Sequence, residues 1–162
     1  MFHLIPRPVH IAALRLAHAV RMRWWKLSRA RVSGVRVVVL DADSRVLLIR
    51  HSYGSPHWML PGGGMKRGED ALKTAAREVL EEAGLAITDA VEIGMVTDML
   101  HGANNDVRVV AGWTDGLPKP DGREILAAAF FALDALPPGM SAKLPPLLPG
   151  YITAAEAARL RL

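Results

Sequence analysis

The sequence predicts a single α/β domain, on three observations: β-type apolar runs on both sides of one amphipathic helix, a glycine cluster that introduces that helix, and a length of 162 residues. A chain of that length can bury one good core, and a second domain would be cramped. Gly34 to Leu40 (GVRVVVL) and Arg45 to Arg50 (RVLLIR) are rich in β-branched and large aliphatic residues and flank the turn residues Asp41 to Ser44. They read as a buried strand, a turn and the strand returning. In Pro61-Gly62-Gly63-Gly64 the backbone can take positive φ and approach a ligand with no Cβ in the way. Leu72, Ala75, Ala76, Val79, Leu80 and Ala83 then form an apolar stripe at helical period, and Gly84 suits the position that ends a helix.

Taken in order, Met1 to His10 reads as irregular, because Pro6 and Pro8 discourage a helix. From Ile11 to Ser28 a basic helix is expected, its apolar face interrupted by Arg15, Arg21 and Arg23. Arg15 and His18 break the apolar run and no uncharged span of membrane length follows, so neither export nor stable membrane insertion is expected. The chain has no cysteine, which excludes a disulfide framework, a thiolate metal site and a cysteine nucleophile, and fits a cytoplasmic protein.

The net charge of +4 is unevenly spread. Eight of the 20 Lys and Arg residues lie in the first 36 positions, which hold no acid; the remaining 12 face all 16 acids. Basicity therefore belongs to the N-terminal extension. Its Arg21-Met22-Arg23-Trp24-Trp25-Lys26 run interleaves bases with aromatics, a composition that suits an anionic membrane surface, a nucleic-acid backbone, or packing on the domain or on the second subunit of a homodimer.

Beyond Arg50 the reading continues with a loop over His51 to Pro56, and a short strand Trp58-Met59-Leu60 runs into Pro61. After the helix, Ile87 to Leu100 holds an extended stretch, His101 to Asn105 a polar turn, and Asp106 to Trp113 a strand pairing back. Asp115 to Gly122 is a loop by composition. Glu124 opens a segment through Phe130-Phe131 that Leu136-Pro137-Pro138 ends. Pro145 to Pro149 reads as a stiff linker and Thr153 to Leu162 as a short terminal helix.

The charges on the central helix carry the functional signal. At about 100° per residue, Glu78, Glu81 and Glu82 fall on the flank of the apolar stripe. They occupy the last two turns, where the helix dipole disfavours acids by roughly 0.3 to 1 kcal/mol each. Two readings stand: a solvated acidic face steadied by Glu69 with Lys73 and Arg77 with Glu81, or oxygen ligands for a hard divalent cation such as Mg²⁺.

Gly63, then Glu69 after five residues, then Arg77-Glu78-Val79-Leu80-Glu81-Glu82-Ala83-Gly84-Leu85 after seven more, resembles the Nudix box, Gly-x5-Glu-x7-Arg-Glu-U-x-Glu-Glu-x-Gly-U with U apolar. Every fixed position is matched. Downstream, Ala132-Leu133-Asp134-Ala135-Leu136-Pro137 is similar to a turn common in that family. The resemblance implies a Nudix fold, a mixed β-sheet sandwiched between helices, over residues 32–140. Residues 1–31 would then be the basic extension, and residues 141–162 the Pro-rich linker with its short helix.

It also implies hydrolysis of a nucleoside diphosphate linked to another moiety, a nucleotide-type substrate, with Mg²⁺ or Mn²⁺. By the same resemblance, Glu78, Glu81 and Glu82 hold the metal with the carbonyl of Gly62, and Glu78 or Glu82 lies nearest the attacking water. Arg77 orients Glu78 and Glu69 braces the loop. A fifth acid is often supplied from outside the box, and Glu124 is the candidate, ahead of Asp98 and Asp106. Relatives often carry another acid where Ala127 and Ala128 stand here, so the general base is left open.

Trp58 and Tyr53 are candidates for a base pocket, while Arg50, His51, Lys66 and Arg67 are candidates for phosphate contacts. The competing function is a Nudix-fold protein that binds a nucleotide or RNA without hydrolysing it and uses the basic arm for docking. An isopentenyl-diphosphate isomerase-like activity would need the cysteine this chain lacks.

Overall fold

The computed structural model describes residues 32–66, 68–100 and 103–162, together with residues 8, 9, 12, 13 and 16. Its frame is a sheet of β1 (Val32–Leu40), β2 (Val46–His51), β3 (Thr88–Leu100), β4 (Ala103–Trp113) and β5 (Ile125–Phe131), with helices α1 (Ala71–Ala83) and α2 (Leu148–Arg159). The strand order is β3-β4-β1-β2-β5. β1 runs parallel to β4 while every other neighbouring pair is antiparallel, which makes the sheet mixed.

Local chemistry explains each element. Asp41 closes the β1–β2 turn by accepting the N–H groups of Asp43 at 3.0 Å and Arg45 at 2.9 Å, and its carboxylate meets Arg45 Nε at 2.7 Å. Asp70 caps α1 by accepting the N–H of Lys73 at 2.9 Å, and Gly84 ends it at φ 65° with its N–H on the Leu80 carbonyl.

β1 is buried on both faces, which is why it reads as an unbroken apolar run. Val35, Val37 and Val39 pack with Ala71, Ala75, Val79 and Ala83 of α1. Val38 and Leu40 face the other way, onto Leu144, Leu148, Ile152 and Ala155. The sheet is thus sandwiched between α1 and α2, the α/β arrangement expected from the sequence.

Within the domain, three segments differ from their sequence reading. Trp58-Met59-Leu60 makes only isolated bridges, Met59 with Ile49 and Trp58 with Met140. Pro61 has no N–H with which to extend a ladder, and its carbonyl and that of Gly63 turn to β1 instead, accepting from Val37 at 2.8 Å and Val35 at 2.9 Å. The prolines after Leu144 form no linker: residues 145–147 are a 3₁₀ turn and α2 starts at Leu148, with Pro149 in the first turn, where a missing N–H costs nothing. β4 starts at Ala103, earlier than expected.

Of the N-terminal extension, the five described residues are helical, including Pro8 and Val9, where an irregular segment was expected. The rest of the helix expected over 11–28, with Trp24 and Trp25, lies outside the described residues. Among the described residues no helix is long and apolar enough to cross a membrane.

Candidate active site

The glycine loop lies against β1 closely enough that side chains are excluded. At Gly62, with φ 149°, an added Cβ would come within 2.2 Å of the Val35 carbonyl oxygen. At Gly63 it would meet the Glu78 carboxylate at 2.5 Å. The missing Cβ atoms therefore let the loop press onto the acidic flank of α1, and the Gly62 N–H donates to Glu82 Oε2 at 2.9 Å.

That flank is where the apolar stripe meets the sheet, so its carboxylates lose water. Glu82 is only 7% exposed. Burial raises its carboxyl from the ordinary 4.5 to about 8, against the pull of the Gly62 N–H, and the charges of Glu78, Glu124 and Glu81 push the same way as burial. Burial also pushes Glu78 up, opposed by Arg77. Glu81 points outward and is exposed.

Arg77 serves three acids. It meets Glu78 at 2.8 Å, Glu81 at 3.3 Å and Glu69 at 3.6 Å. Glu69 precedes the cap residue of α1 and so lies outside the helix, where its carboxylate accepts the N–H of Lys66 at 2.8 Å. That hydrogen bond, with Arg77 adding to it, holds the Glu69 carboxyl below its ordinary value.

The opposite wall comes from the end of β2. His51 Nε2 stands 3.4 Å from Glu82 Oε1, and the Tyr53 hydroxyl donates to Glu124. The two rings are 5.4 Å apart, and the N–H of Ser52 donates to the Glu124 carbonyl at 2.9 Å. A shift of strand register between Arg50 and His51 accompanies this change of partner. Beside these residues lies a cleft of about 410 Å³, lined by Arg50, residues 51–56 and Leu126.

The remaining candidates divide. Trp58 is half-buried, packs edge-on against Phe131 at 5.2 Å and carries Arg50 over its ring at 5.6 Å. Lys66 is exposed and Arg67 lies outside the described residues. Asp106 accepts from Thr97 on the β3–β4 hairpin, while the side chain of Asp98 is outside the described set. Ala127 and Ala128 pair with Arg50 and Ile49, leaving that stretch of β5 without an acid. The contact of His51 with Glu82 and that of Tyr53 with Glu124 were not foreseen; the only sequence signal for them was the alternate spacing of 51 and 53 at a strand end.

The donor chemistry fits a hard divalent cation: oxygen ligands only, with two carboxylates desolvated beside a third. Among the described residues no three acidic or histidine side chains are gathered at metal-ligand spacing. Arg77 draws Glu78 and Glu81 aside, and Gly62 with His51 holds Glu82.

The sequence profile of the NUDIX domain matches residues 30–151. The chain belongs to the Nudix family. It is 42% identical over 60 residues to an RNA pyrophosphohydrolase of Dinoroseobacter shibae, a match covering 36% of this chain and 37% of that protein. It is also 39% identical over 62 residues to a Bacillus subtilis protein whose name proposes 8-oxo-dGTP diphosphatase activity, covering 38% of this chain and 41% of the relative. Each match thus spans about two-fifths of the relative. Among solved structures, a MutT Nudix hydrolase from Burkholderia pseudomallei superposes with a TM-score of 0.64 at 26% identity, covering 74% of this chain and 97% of that one. A Nudix hydrolase from Nitrosomonas europaea, at a TM-score of 0.61, 23% identity and coverage of 80% and 91%, shares the fold.

Proposed function

We propose that this Nudix protein is a divalent-metal-dependent pyrophosphohydrolase that cleaves the pyrophosphate linkage of a nucleoside diphosphate joined to another moiety. The observation that carries this reading is Glu82, a buried carboxylate between the Gly62 N–H and His51, with Glu78 and Glu124 close enough to raise it further. A helix shaped for stability alone would not bury an acid in its last turn beside other acids. Charge of this sign next to an anionic substrate also counts against a purely binding role.

Glu78 and Glu82, with Glu81 and the Gly62 carbonyl, are the groups we assign to Mg²⁺ or Mn²⁺. When bound, such an ion neutralises charge on phosphoryl oxygens and lowers the pKa of a coordinated water. The chain's own residues do the rest. Arg77 restrains Glu78, the glycine loop and His51 restrain Glu82, and Tyr53 restrains Glu124, which can accept a proton from water. Arg50, in the adjoining cleft, offers charge to the phosphates. The nucleotide-type small-molecule substrate and the cytoplasmic location expected from the sequence belong to the same proposal.

The test is turnover with Mg²⁺ or Mn²⁺ across nucleoside triphosphates, nucleotide sugars, dinucleoside polyphosphates and 5′-triphosphorylated RNA, run beside Glu82→Gln. Metal-dependent hydrolysis lost in the variant is the expected result. Tight binding of one of these compounds with no hydrolysis in either protein would replace the enzyme with a nucleotide- or RNA-binding protein.

A further inference from the structure

The described residues of the N-terminal extension, Pro8, Val9, Ala12, Ala13 and Leu16, are all helical and all exposed. Val9, Ala12, Ala13 and Leu16 stand at i, i+3, i+4 and i+7, so at about 100° per residue they share one face of the helix, a sector roughly 100° wide. Val9 is 57% exposed and Leu16 68%. An apolar stripe of this kind ordinarily faces a core, and here the chain's own domain leaves it uncovered.

The stripe continues in the sequence. At the helical period it takes in Val20, Trp24 and Leu27, with Arg15, Arg21 and Lys26 on its flanks. Arg23 falls on it, and a side chain of that length lays its stem on an apolar surface while returning its charge to water. The eight bases of residues 1–36 meet no acid there, whereas the rest of the chain sets 12 bases against 16 acids. No helix among the described residues is long and apolar enough to cross a membrane, and Arg15, Arg21 and Arg23 interrupt the extension at short intervals. The stripe is therefore suited to lie on an apolar surface and not to pass through one.

Three partners can meet an apolar stripe flanked by bases, and they differ in what they leave unsatisfied. The backbone of a nucleic acid neutralises the bases and leaves Val9 and Leu16 in water. A second copy of the extension buries the stripe but sets another eight bases beside the first eight. An anionic bilayer surface satisfies both: acyl chains take the aliphatic side chains, headgroups take the bases, and tryptophan suits the boundary between them.

We propose that the N-terminal extension docks this protein reversibly on anionic phospholipid surfaces, lying in the interface with Val9, Ala13 and Leu16 turned toward the acyl chains. Residues 17–31 are all that separate Leu16 from β1, and β1 holds the glycine loop through the N–H groups of Val35 and Val37. A fully extended chain of that length spans about 50 Å, so docking keeps the carboxylate site near the surface.

The test is co-sedimentation of the full chain with vesicles of phosphatidylcholine alone and of phosphatidylcholine mixed equally with phosphatidylglycerol. The mixed vesicles bind at least about tenfold more tightly, and the difference shrinks as salt is raised. Val9→Gln with Leu16→Gln removes apolar surface and no charge, and weakens that binding about tenfold or more. Both side chains are exposed, so the melting temperature of this variant is unchanged. Arg21→Gln with Arg23→Gln weakens binding about tenfold or more through charge. Leu117→Gln, at a position of the domain that is 79% exposed, leaves it as it was. No binding to either vesicle, equal binding to both, or binding that survives the Val9 and Leu16 substitutions would overturn the proposal. A dimer that those two substitutions take apart would assign the stripe to a second copy, and tight binding of an oligoribonucleotide with none to vesicles would assign the bases to nucleic acid; either outcome overturns it. None of these readouts uses turnover, so this proposal and the hydrolase reading fail separately.

Discussion

Glu69 and Glu82 stand at opposite ends of the same loop and helix and meet opposite environments. Glu69 is turned toward an N–H donor and Arg77, and its carboxyl is held below the ordinary value. Glu82 is buried beside other acids and raised to about 8. The first fastens the glycine loop to the helix. The second costs the metal-free fold stability, and that cost is why we propose it as a functional acid.

The contrast predicts opposite responses to removing charge. Glu82→Gln lowers metal-dependent turnover by more than roughly 100-fold. The same variant stabilises the metal-free protein, because Gln still accepts from the Gly62 N–H and carries no charge into the core. The pH dependence follows from the raised carboxyl. Between 4.5, where the unfolded chain releases this proton, and about 8, where the folded chain does, the folded state holds more protons. Parent stability therefore falls as pH rises through that window and levels off above it. Denaturant titrations of parent and variant should agree near pH 4 and separate by on the order of 2–4 kcal/mol at pH 8.

The two glycines sharpen the same comparison. Gly62→Ala drives a methyl into the Val35 backbone at a strained φ, so it destabilises the fold, by roughly 2–4 kcal/mol in thermal or chemical unfolding. Gly63→Ala meets only the end of the Glu78 side chain, which can swing away. It should cost about 1 kcal/mol or less in stability while lowering turnover about tenfold or more. Equal stability losses in the two variants would contradict the loop geometry.

Smaller effects test the outer contacts. Tyr53→Phe removes the hydroxyl that restrains Glu124 and should lower kcat a few-fold, with KM little changed, if Glu124 takes part in the reaction. Glu69→Ala should lower the melting temperature and leave the pH profile of turnover in place, since its role is to fasten the loop.

Much of this arrangement was legible in the sequence where a period or a fixed spacing carried it. The apolar run of β1, the apolar stripe of α1, its Gly84 cap and the carboxylate spacing on its flank all follow from local rules. What escaped was either a contact between distant elements or a residue type with two meanings. No local pattern says that His51 meets Glu82 or that Tyr53 meets Glu124, because a strand end and separate elements are brought together by the sheet. Pro149 reads as a breaker by composition, yet in the first turn of α2 it has no bond to lose, and the helix it joins supplies Leu148, Ile152 and Ala155 to the core.

The most direct test of Glu82 as a buried metal-binding acid is an NMR titration of its side-chain carboxyl carbon in metal-free protein and again with saturating Mg²⁺. The expected midpoint is near 8 without metal and drops well below neutrality when Mg²⁺ is present. A midpoint near 4.5 in metal-free protein, or one that Mg²⁺ leaves unmoved, would contradict it.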